Sequence, residues 1–141
     1  MALSASNLEV GATRSQVLVE DLKRTQIVMY AGASGDYNPV HTDEVFVTQV
    51  AGYPSVFAHG MLSMGMTGRL LTDWVGDGRL TRYGVRFVKQ VWPGDTLTAT
   101  ATVREIGVGD DGLPVAELDV QTVNQRGEAV VTGYATARLD P

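Results

Sequence analysis

The chain is 141 residues and 15.1 kDa, enough for one domain with a real core. Charged residues at 19% and apolar residues at 44% are the balance of a folded domain rather than a disordered one. A net charge of −5 argues against nucleic acid, and the lack of cysteine excludes disulfides and thiolate metal sites.

The opening MALSASNLEVG has neither a basic start nor an apolar core, so no signal peptide is expected. Residues Met1 to Gly11 read as a loosely held arm. No apolar run reaches transmembrane length, and the expectation is a soluble, cytoplasmic protein. Ser15 to Val19 is a first short strand ending at Glu20-Asp21. From Asp21 to about Gly32, Leu22, Ile27, Val28, Tyr30 and Ala31 suit one helix face, with Asp21 as N-cap and Gly32 or Gly35 as the stop.

Both histidines of the chain, His41 and His59, fall between Tyr30 and Met61. Asp36 precedes His41 by five residues. Pro39 between them fixes its own φ and disfavours the helical region for Asn38. Asp36 and His41 are therefore expected on an irregular loop, a common place for catalytic side chains. Asp43 to Val50 predicts one or two helical turns. His59-Gly60-Met61 then opens a second helix, whose free N–H groups and positive dipole end suit a developing negative charge.

From Gly60 to about Val75, Met61, Leu62, Met64, Met66, Leu70, Leu71, Trp74 and Val75 surround the helix axis almost completely, which predicts burial on most sides. Gly65 and Gly68 each cost roughly 1 kcal/mol against alanine in a helix, and close approach of another backbone is the expected reason for them. The remainder reads as strands: Thr81 to Val88, a turn at Trp92-Pro93-Gly94-Asp95, Thr96 to Val103, a strand carrying Ala116, Leu118 and Val120, and a last one from Ala129 to Ala137. Sequential strands with short turns are expected to pair antiparallel. Small residues on their apolar faces leave space for the glycine-bearing helix. The predicted fold is α+β, a curved antiparallel sheet around one buried helix, in a single domain over residues 1–141. Exposed sheet edges predict a homodimer joined edge to edge.

The run Tyr30-Ala31-Gly32-Ala33-Ser34-Gly35-Asp36-Tyr37-Asn38-Pro39-Val40-His41, followed by Ala58-His59-Gly60-Met61, resembles the MaoC-like hydratase/dehydratase family. That family includes (R)-specific enoyl-CoA hydratases and (3R)-hydroxyacyl carrier-protein dehydratases. The D-x-N-P-x-H pattern with a downstream H-G-M is specific, and the similarity extends through Trp74-Val75-Gly76-Asp77 to Val85-Arg86-Phe87. The resemblance implies a hot-dog fold, Asp36 and His41 as the catalytic pair, and the Gly60 amide as oxyanion donor. It groups Asn38, His59 and Met61 with Gly60 in the substrate-binding set, Asn38 supporting the loop through hydrogen bonds and His59 expected to be mainly structural. The family's hydratases carry a serine further along the central helix, about where this chain has Thr67-Gly68. The mycobacterial-type dehydratase subunits have glycine there, and this chain leans toward them. Some of those subunits work only as heterodimers, so a heterodimer with a second hot-dog subunit stands beside the homodimer.

The implied reaction is reversible hydration of (2E)-enoyl or dehydration of (3R)-hydroxyacyl thioesters, carried on CoA or acyl carrier protein, with no cofactor. Histidine suits proton transfer near neutral pH. A non-catalytic partner subunit and a thioesterase are the competing readings, since one fold hosts several functions. Asp36, His41, Asp43 and His59 lack the spacing of a metal site, and none is expected. Ser34, Ser55 and Ser63 lack a nucleophile elbow. Arg82 and Arg86, on one face of a predicted strand, are candidate phosphate-binding residues, with a solvated strand face as the simpler account.

Overall fold

Strict alternation of threonine with Leu97, Ala99, Ala101 and Val103 makes a strand with one fully apolar face, and in the computed structural model all four of these side chains are buried. The structure describes residues 3–141. The elements in chain order are β1 (Thr13–Val19), α1 (Arg24–Ser34), a single 3-10 turn (Pro39–His41), α2 (Glu44–Gln49), α3 (Gly60–Val75), β2 (Leu80–Phe87), β3 (Leu97–Val108), β4 (Pro114–Val123) and β5 (Ala129–Arg138). The five strands form one antiparallel sheet in the order β1-β3-β4-β5-β2.

The sheet wraps α3, as expected. Leu70, Leu71 and Val75 pack on Ala99, Ala101, Leu118, Ala135 and Ala137. A second cluster at the other end joins Leu22, Ile27, Ala58, Val91, Leu97, Val130 and Val131. The alanines matter because a helix about 10 Å across must fit inside the curve of the sheet. Thr67 on α3 and Thr122 on β4, both fully buried, satisfy one another's hydroxyls at 2.7 Å.

Four expectations are corrected. Sequential pairing holds for β3-β4-β5 but not for β2 and β3: β2 pairs with β5 at the far edge, and β1 takes the free side of β3. The stretch between β2 and β3 instead crosses the mouth of the fold. Ala58 N–H there donates to the Val91 carbonyl, and Leu22 N–H to that of Asp95, each at 2.8 Å. That second bond also explains why Asp21 is not an N-cap. Asp21 sits at φ 51°, bound to Lys23, and the helix begins only at Arg24, stopping at the left-handed Gly35. The N-terminal segment is not loose: Ala5 N–H meets the Asp140 carbonyl, Gly11 N–H meets that of Val103, and Leu8 joins the core. Met1 and Ala2 of the expected arm lie outside the described residues.

The fourth correction concerns α3, whose ends match the expectation. Its Met61, Gly65, Arg69 and Asp73 form an exposed stripe at i, i+4 spacing. Gly65 meets nothing within 4 Å, so no backbone approaches it. Gly68 does serve close packing, but against a side chain: a Cβ there would lie 3.1 Å from the Tyr83 ring, whose hydroxyl donates to the Met64 carbonyl. Burial pushes the Tyr83 phenol up to about 12. No helix among the described residues is long and apolar enough to cross a membrane.

Candidate active site

The loop between α1 and α2 is built by side chains that each accept from the backbone two residues on. Asp36 N–H donates to Ser34 Oγ (3.1 Å), Asn38 N–H to Asp36 Oδ1 (3.2 Å), and Val40 N–H to Asn38 Oδ1 (3.2 Å). Short polar side chains favour such turns over helix, and Pro39 at the first position of the 3-10 turn closes the series. Asn38 is thus the loop's scaffold. One oxygen of Asp36 is used in this way, and the other, Oδ2, faces His41.

His41 Nε2 lies 3.9 Å from Asp36 Oδ2. Its Nδ1 is 2.7 Å from the Phe57 carbonyl, which can only accept, so the proton sits on Nδ1 and Nε2 offers a lone pair. Burial holds the His41 pKa below its ordinary value of 6.5; the Phe57 bond opposes this, neighbouring His59 adds to it, and Asp36 opposes it. His41 is therefore a neutral base at pH 7. Its side chain is 10% exposed and that of Asp36 is 52% exposed, so one wall of the pair is protein and the other is open.

His59, 1% exposed, is the N-cap of α3. Its Nε2 donates to the Asp36 carbonyl at 3.0 Å, and its ring stacks on His41 with centroids 3.8 Å apart and planes at 26°. Tyr30 packs edge-on against the His59 ring, with centroids 4.8 Å apart. His59 therefore ties the loop to the helix mouth. Asp36, His41 and His59 each bring one ligand-type atom within 4.8 Å of the others. Nearly parallel imidazoles hold their in-plane lone pairs side by side rather than aimed at a common point. The trio fits proton handling better than metal ligation.

Gly60 opens α3 beside a cavity of about 250 Å³ lined by Phe57, Ala58, Ser63, Phe87 and Val131 among others. Among the described residues none accepts from the Gly60 amide. The half-exposed Phe87 ring lies flush on Gly60, where a Cβ would fall 2.7 Å from it. Asp36 and His41 do not line this cavity; Phe57, whose carbonyl holds His41, stands between. Met61 is 55% exposed and also outside it.

Arg82 and Arg86 lie on the sheet face opposite Tyr83 and Val85. Arg82 stacks over Tyr134 at 4.6 Å and borders an open groove with Asp110, Asp111, Glu117 and Arg138, where carboxylates oppose an anion. Neither arginine meets the Asp36/His41 loop. The cation at the cavity is Lys89, which is paired with Glu128. Lys89, then Arg126 and Asn124, pull the Glu128 carboxyl down to about 2.

Sequence reasoning missed Lys89, Phe87 and the Phe57 carbonyl, and weighed Ser63, whose buried Oγ has no partner among the described residues, only as a nucleophile. Only Ser63 left a signal, as a polar side chain three residues into an otherwise apolar helix start.

A family model described as "MaoC like domain" matches residues 6–125. The chain is 42% identical over 77 residues to a 3-hydroxyacyl-thioester dehydratase Y of Mycobacterium tuberculosis, covering 52% of this chain and 27% of that relative. It is 36% identical to an (R)-specific enoyl-CoA hydratase of Rhodospirillum rubrum, covering 89% of this chain and 85% of the relative. The solved (R)-hydratase from A. caviae superposes with a TM-score of 0.82 at 28% identity, covering 96% of this chain and 99% of that one. The chain thus spans about a quarter of the length of the mycobacterial relative and most of the other two. The curved sheet around α3 is the hot-dog fold of these hydratases.

Proposed function

The chain belongs to the MaoC-like domain family, and from that premise we propose that it adds water reversibly to (2E)-enoyl thioesters, giving (3R)-hydroxyacyl thioesters. The observation that carries the reading is the 3.9 Å between Asp36 Oδ2 and His41 Nε2. Both are acceptors, and the separation is too long for a direct hydrogen bond. A water donating one hydrogen to each spans it and turns its lone pair outward as the nucleophile.

In hydration the water oxygen bonds to Cβ, and the π electrons move toward the thioester carbonyl. Between them, His41 and Asp36 take one proton from the water and return one to Cα. Positioned acid–base groups contribute about 10²- to 10⁴-fold. The free Gly60 amide, at the positive end of a 16-residue helix, receives the carbonyl oxygen. His59 and Asn38 position the loop, and Met61, exposed at the second helical position, flanks the acyl arm. The step balances without a cofactor. A carrier phosphate would meet Lys89, two residues past the end of β2, with Arg86 near the end of that strand as the further candidate.

Mixing the protein with short enoyl-CoA substrates tests the reading. Loss of conjugated absorbance without free thiol is expected; thiol release would instead mark a thioesterase. Asp36→Asn and His41→Ala should each lower turnover at least about 10²-fold with the far-UV circular dichroism unchanged. Near-normal turnover in both overturns the assignment.

A further inference from the structure

The helix mouth holds a polar group that the acid–base chemistry leaves unused. Ser63 lies three residues beyond Gly60, so the two share one face of α3, and both line the same cavity. Ser63 is 2% exposed and its Oγ has no hydrogen-bond partner among the described residues. A serine inside a helix ordinarily donates back to the carbonyl four residues earlier. Here that carbonyl belongs to His59 and is taken by the Leu62 and Ser63 amides, at 3.1 and 3.4 Å. Leaving a buried hydroxyl unpaired destabilises a fold, and such groups call for a specific explanation.

The surroundings narrow that explanation. Ala58, Val91, Val130 and Val131 make the cavity's inner wall apolar. Two donors without a partner among the described residues line it, the Gly60 N–H and the Ser63 O–H, both in the first turn of α3. The Phe87 ring is the outer wall, and its half-exposed side has solvent to turn into when a ligand arrives.

We propose that the Ser63 hydroxyl donates a second hydrogen bond to the thioester carbonyl oxygen received by the Gly60 amide, making a two-donor oxyanion site. The inference rests on the thioester reading above. Negative charge grows on that oxygen as water bonds to Cβ, so both donors bind the transition state more strongly than the ground state. Ser63 forms and breaks no covalent bond, and its proton stays on Oγ.

Ser63→Ala in the intact chain tests this. Turnover should fall about 10²-fold with KM little changed, the pattern of a lost transition-state donor. The midpoint of thermal unfolding should hold or rise, because an unpaired buried hydroxyl has been removed. Ser63→Thr, which keeps the hydroxyl, should restore most of the turnover. A purely structural serine predicts the reverse, a lower unfolding midpoint with kcat intact, and that result overturns the inference. Asp36→Asn in the same assay separates the two layers. If it abolishes turnover while Ser63→Ala does not, the second donor is wrong and the hydratase reading stands. A wild-type chain that adds water to no enoyl thioester overturns both.

Discussion

At the scale of single residues, the protonation state of His41 is decided by what surrounds each nitrogen. The Phe57 carbonyl fixes the proton on Nδ1, and burial lowers the pKa from its ordinary 6.5. The hydration rate should therefore hold through neutrality and fall on acidification, with a midpoint below 6.5. A pH profile of kcat/KM measures this, and an acid limb centred at or above 6.5 would contradict the assignment. The same shift has a consequence for stability. A histidine whose folded pKa is depressed contributes fully above its unfolded value, and the contribution is lost as pH falls through the folded pKa. Acid thus weakens both the base and the loop that carries it. The spacing of Asp36, Asn38 and His41 was legible in the sequence because each contact in the loop is two residues long. The 3.9 Å meeting of Asp36 with His41 is also local. The Phe57 carbonyl and the His59 stack were not legible, since they come from chain 16 and 18 residues downstream of His41.

At the scale of elements, α3 is where expectation and packing part company. Its limits could be read from the apolar run and its glycines, but the reason for those glycines could not. Gly68 makes room for Tyr83, whereas Gly65 faces open space at the centre of the exposed stripe. Gly65→Ala should stabilise the chain by roughly 0.5–1 kcal/mol through helix propensity alone. The unfolding midpoint would then rise by about 2–4 °C. A fall in the midpoint on calorimetry would mean that another surface packs on Gly65 in solution. Gly60 is a different case, because an added methyl there would collide with Phe87 at the helix mouth.

At the scale of the whole molecule, two uncovered features of the isolated chain lie together near the site: β2, one of the sheet's two edges, and apolar Met61, Phe87 and Val88, each more than half exposed. Unpaired strand edges and clustered apolar surface call for a partner. A second copy pairing along β2 would cover both, and sedimentation should give twice the 15.1 kDa of one chain. A monomer at micromolar concentration would leave the edge open and point to a different hot-dog subunit as the missing half.

The sequence by itself determined the local items: the start of α3 at Gly60, the end of α1 at Gly32 or Gly35, the alternating strands, and the Asp36–His41 loop with its family resemblance. Each of these depends on residues a few positions apart, where propensity and spacing decide. Only the tertiary structure decided the strand order, the pinning of Asp21 and Leu22 by the Trp92–Asp95 turn, and the cavity that joins Gly60, Ser63 and Phe87. Those depend on which distant backbones meet, and that follows from burying one helix inside one sheet rather than from any window of sequence.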